Sequence, residues 1–108
     1  MKKIVINKCF GGFGLSEEAR VLYEKLSGKH VEEYECFENN RDDEVLVSVV
    51  EQLGDEAGDA YAELEIIELP DNSYWLIDDY DGIETVYYSE SEIKAKWLDI
   101  LLLVLFYS

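Results

Sequence analysis

Basic residues are nearly missing from the middle of this chain. Between residues 31 and 92 there is one, Arg41, against twenty-one Asp and Glu. Residues 1–30 carry a net +3 and residues 93–108 a net +1, so the formal charge of −16 sits in the middle. That scarcity argues against nucleic acid and anionic membrane as partners, since both repel such a surface. The natural partners are basic surfaces, including those of proteins that hold DNA or RNA. The same acidity also favours solubility without any partner.

Histidine occurs once, at His30. Nothing in the pattern pairs it with a nucleophile or a carboxylate as a triad requires. Its place after Gly28-Lys29 predicts a solvated loop. Cysteine occurs twice, as Cys9 and Cys36. Two thiols and one imidazole make a poor tetrahedral zinc set. Lys2-Lys3 precedes an apolar run of three residues, too short for a secretory signal. The expectation is a reduced, cytoplasmic protein with both thiols as packing groups and no metal or cofactor. Long apolar runs are missing too. The apolar stretch Trp97–Tyr107 falls far short of the roughly 20 residues that cross a bilayer, so no membrane span is expected.

What is present is a chain of 108 residues with 48% hydrophobic residues, enough for one domain with a modest core. Ile4-Val5-Ile6 is β-branched and continuous, which predicts a strand covered on both faces. Gly11-Gly12-Phe13-Gly14 ends it. Ser16 is a suitable N-cap, and Glu17 and Glu18 favour the first turn of a helix. Leu15, Ala19, Leu22 and Leu26 form its apolar stripe, and Gly28 stops it. Val31–Phe37 reads as an exposed or edge strand. A second helix is predicted from about Asp43 to Leu53, with Val45, Leu46, Val49, Val50 and Leu53 on one side. Glu63–Leu69 reads as a strand closed by Pro70. Tyr74–Ile77 and Ile83–Tyr88 flank Asp81-Gly82, which signals a hairpin. The predicted fold is α+β: a small mixed sheet, two packed helices and a C-terminal apolar helix. A three-layer α/β arrangement is the alternative.

Several motifs in the chain invite a chemical reading. The glycine loop Gly11, Gly12, Phe13, Gly14 lies at a strand-to-helix junction, where backbone N–H groups can hold a ligand. It lacks the Lys of a P-loop, since Gly14 is followed by Leu15-Ser16, and it lacks the third glycine of the dinucleotide fingerprint. A tight turn with Phe13 as a packing anchor explains the same residues. Cys9 lies just before this loop, where a helix N-terminus can lower a thiol pKa. The aspartates at 78–82 fail as an EF-hand, because Ile77 and Tyr88 would occupy the first and last ligand positions. Asp78, Asp79, Tyr80, Asp81, Glu84 and Trp75 suit a protein-binding face better, with aromatic anchors among carboxylates. Nucleic acid would instead need those aromatics among lysines and arginines.

The segment after Ser91 is apolar all round. Trp97, Ile100, Leu101, Val104 and Leu105 fall on one side of a helix, which predicts a homo-oligomer interface. Packing against the domain's own sheet is the alternative.

The opening Lys3-Ile4-Val5-Ile6-Asn7-Lys8-Cys9-Phe10-Gly11-Gly12-Phe13-Gly14-Leu15-Ser16 resembles that of a family of small phage and prophage proteins. Segments 43–54, 65–71 and 77–84 are similar to that family as well, and together these cover about two thirds of the chain. The chain is shorter than the family between Phe37 and Arg41, and its apolar ending departs from the pattern. The resemblance implies a mobile-element protein that binds a host or defence protein. It carries over no catalytic residue. The expected function is therefore a non-enzymatic acidic inhibitor of a basic host or defence protein, acting by nucleic-acid mimicry. The alternative is a small-ligand or nucleotide sequestering protein that uses the glycine loop.

Overall fold

The computed structural model describes residues 1–32, 35–37 and 40–89. The fold is α+β, with two helices and four strands. Strand β1 is Lys2–Asn7, helix α1 Glu17–Ser27 and helix α2 Glu44–Leu53. Strands β2, β3 and β4 follow as Leu64–Leu69, Tyr74–Tyr80 and Ile83–Ser89. The strands form two antiparallel pairs, β1 with β2 and β3 with β4, where the sequence predicted one mixed sheet. No parallel pair or crossover joins the described strands, so the layers are not those of an α/β fold.

Strand β1 explains how the layers assemble. Its side chains alternate between two faces. Val5 packs with helices α1 and α2 in a cluster that includes Leu46, Val49 and Val50. Ile4 and Ile6 point the other way and join Leu69, Ile67, Trp75, Ile77 and Val86. The β1–β2 pair is therefore covered by helices on one side and by the β3–β4 hairpin on the other. This is why Ile4-Val5-Ile6 lacks a polar alternation: all three are at most 1% exposed.

The helices begin and end on their caps. Ser16 Oγ accepts the Ala19 N–H, and Asp43 Oδ1 accepts the Val45 and Leu46 N–H groups. Gly28 takes the left-handed conformation that closes α1. The buried side of α1 is set by Ala19 and Tyr23, with Leu22 beside them, while Leu26 faces solvent. The buried face is thus rotated from the predicted Leu15, Ala19, Leu22 and Leu26 stripe towards Tyr23, which is 6% exposed. Its ring packs on Phe37 with centroids 5.1 Å apart. Its hydroxyl donates to Asp43 Oδ2 at 2.5 Å, linking α1 to the cap of α2.

The predicted strand at Val31–Phe37 is corrected. Val31, Glu32 and residues 35–37 lie in no strand. Val31 and Phe37 instead act as single buried anchors among exposed glutamates. The predicted C-terminal helix and its interface residues Trp97, Ile100, Leu101, Val104 and Leu105 lie outside the described residues. Among the described residues no helix is long and apolar enough to cross a membrane.

Candidate functional site

The β3–β4 hairpin is set by its turn. Tyr80 pairs with Ile83, leaving Asp81 and Gly82 as a two-residue loop. Both have positive φ, 51° and 91°, as a type I′ turn requires. Asp79 Oδ1 accepts the Gly82 N–H at 2.8 Å and braces the turn.

The glycine loop docks onto this turn. The Gly11 N–H donates to the Asp81 carbonyl at 3.3 Å. A side chain on Gly82 would strike the backbone nitrogens of Gly11 and Gly12, so glycine is required there for close approach as well as for φ. Asn7, fully buried at the end of β1, ties the parts together. Its Nδ2 donates to the carbonyls of Cys9 and Gly82 at 2.7 and 2.6 Å. Its Oδ1 accepts the N–H groups of Cys9 and Glu63. The loop's shape thus follows from packing against the hairpin. The depression beside it is lined by Phe10, Gly11, Gly12, Asp79, Asp81 and Gly82. Two carboxylates in that lining oppose an anionic ligand.

The predicted binding residues separate into two groups. Asp78, Asp79, Tyr80 and Asp81 are exposed at the hairpin end. Trp75 is half-buried and packs on the cluster of Ile4, Ile6 and Leu69. Glu84 is 4% exposed and is not offered to any partner. Its carboxylate accepts from Arg41, with Nη1–Oε1 at 2.5 Å and Nη2–Oε2 at 2.9 Å. It also accepts the Asn7 N–H at 2.8 Å. The burial of Glu84 has a physical cause. Register places Glu84 beside Asp79 on the hairpin face that turns inward, where Arg41 supplies the counter-charge.

Arg41 is held as firmly as its partner. Nε donates to the Cys36 carbonyl and Nη1 to the Val5 carbonyl. Its guanidinium carbon lies 3.9 Å from the centre of the Phe13 ring, a stacking that favours a cation over an aromatic face. Phe13 is thus the packing anchor of the glycine loop. A cavity of about 680 Å³ opens beside the pair, lined by Phe13, Cys36, Arg41, Trp75, Asp79 and Glu84 among others.

The fold adds residues to the acidic end that sequence reasoning missed. Phe10 and Tyr61 are 62% and 71% exposed, and Tyr80 is 74% exposed. Tyr61 abuts Gly11, and Gly11 bonds to Asp81, so three separate segments meet here. The available signal was two large aromatics in loops, outside any apolar stripe. Among the described residues no group of three or more His, Cys, Asp and Glu side chains is gathered for a metal ion. His30 is exposed and lies between Glu24 and Glu32. Cys9 is half-buried and Cys36 exposed, and neither is in a disulfide. No protein-family model, curated protein or solved structure matches the chain.

Proposed function

We propose that this protein is a non-enzymatic inhibitor of phage type that binds a basic host or defence protein, its carboxylates standing in for nucleic-acid phosphates. The observation that carries the reading is the exposed set Asp78, Asp79 and Asp81 on a braced hairpin end. A rigid array of like charges suits recognition of a basic surface, because the array loses little conformational freedom on binding. Cations counter it little: Arg41 is bound to Glu84 inside the fold, Lys2 and Lys3 pair with Asp42 and Glu51 at the far end of β1, and Lys8 is the single cation in the loop beside the turn. The apolar residues Trp97, Ile100, Leu101, Val104 and Leu105 belong to the same proposal as a self-association interface.

The test is a combined Asp78→Asn, Asp79→Asn and Asp81→Asn variant. Asparagine keeps the turn's side-chain acceptor and tolerates positive φ, so the hairpin survives while three charges go. The unmodified protein should retain a basic protein from a bacterial lysate. Retention should fall steeply between low and physiological salt and should be competed by duplex DNA. The variant should lose most of that retention. Equal retention by both proteins at every salt concentration would overturn the proposal.

A further inference from the structure

We infer that the end of the molecule where the glycine loop, residues 59–63 and the hairpin turn converge is a docking surface for an arginine-bearing segment of a protein partner. The inference rests on the proposed basic partner and assigns its place and chemistry. Phe10, Tyr61 and Tyr80 come from three separate parts of the chain, and each is more than 60% exposed. Exposed aromatics scattered singly need no explanation, but Phe10 lines a depression together with Asp79 and Asp81, and Tyr61 lies against Gly11 of that same lining. The convergence is fixed by bonds: Gly11 N–H to the Asp81 carbonyl, Asn7 Nδ2 to the Gly82 carbonyl and Tyr61 packed on Gly11. Residues 8–14, 59–63 and 78–82 contain Asp59, Glu63, Asp78, Asp79 and Asp81 against one cation, Lys8.

Aromatic faces mixed with carboxylates select guanidinium over ammonium. A guanidinium stacks flat on a ring and forks onto a carboxylate, whereas an ammonium is a compact, strongly hydrated charge. The protein already uses this chemistry internally, where Arg41 lies over Phe13 and forks onto Glu84. The end surface offers the same two elements to an outside arginine. Acidic or neutral segments find no complement there.

The test uses fluorescently labelled poly-arginine and poly-lysine peptides of equal length, with anisotropy read at fixed ionic strength. The unmodified protein should bind the arginine peptide several-fold more tightly. Changing Phe10, Tyr61 or Tyr80 singly to Ala should weaken it about two- to fivefold, and the triple change about tenfold or more. The thermal melt should stay unchanged, because all three side chains are exposed. A Glu65→Gln, Glu68→Gln variant on exposed positions of β2 should bind nearly as well as the unmodified chain. Failure to bind either peptide would overturn both this inference and the basic-partner reading. Binding that the triple aromatic variant keeps, but that the Asp78, Asp79, Asp81 variant loses, would overturn the inference alone. Equal affinity for both peptides would do the same.

Discussion

Glu84 and Arg41 are 4% and 5% exposed, so each is a charge that the fold tolerates because of the other. Removing one partner strands a buried charge, which costs about 3–5 kcal/mol. Arg41→Ala or Glu84→Ala should therefore show that loss in urea denaturation. Apolar replacement of both residues should cost less than the two single changes added together. It should still cost something, because the Asn7 N–H would lose its acceptor. Tyr23 makes a second prediction. Burial and its bond to Asp43 push its pKa from the ordinary 10.0 up to about 12. The folded state thus holds the proton more tightly than the unfolded chain. The stabilisation is complete below pH 10 and is lost as pH rises from about 10 through about 12. Tyr23→Phe should flatten that part of the stability profile while costing about 1 kcal/mol at neutral pH.

The hairpin and the glycine loop behave as one docked unit. Gly82→Ala would place a methyl group against the backbone nitrogens of Gly11 and Gly12, at a φ of +91°. We expect a loss of about 2 kcal/mol and faster hydrogen exchange in residues 10–14 and 80–83. Much at this level was legible in the sequence. Ser16 and Gly28 bound the first helix, and Asp81-Gly82 marked the turn, because caps and turns are local chemistry. What failed was long-range. Nothing near Glu84 in sequence indicates that Arg41, 43 residues away, draws it inside. Val31 and Phe37 looked like strand residues because isolated anchors in a glutamate-rich segment imitate a partly alternating pattern. The division into two sheets was hidden for the same reason, since each strand alone reads alike whether its pair continues or stops. Of the candidate site, the exposed aspartates were legible and the contribution of Phe10 and Tyr61 was not.

Charge and self-association belong to the whole molecule. The concentration of acids in the middle of the chain predicts that partner capture depends on salt far more than the fold does. The apolar residues at 97–106 predict a homo-oligomer, as each large side chain taken out of water contributes roughly 1.5–3 kcal/mol. Leu101→Glu with Leu105→Glu should give monomers or insoluble protein by sedimentation. A monodisperse monomer of the unmodified chain at high micromolar concentration would contradict the oligomer.

One arrangement described above also guards against misassembly. Strand β1 pairs with β2 along one side, which leaves its other side open to a further strand. That side is occupied instead: the Val5 N–H bonds to the Arg41 carbonyl, the Val5 carbonyl to the Arg41 side chain and the Asn7 N–H to Glu84. A single backbone carbonyl and an ion pair cannot extend a ladder as a full strand can, so together they work as a plug. Ile4-Val5-Ile6 is the kind of short β-branched run that templates cross-β stacking once its edge is bare. Variants that lose Arg41 or Glu84 should therefore form ordered aggregates that bind thioflavin, growing from β1, under conditions where the unmodified chain does not.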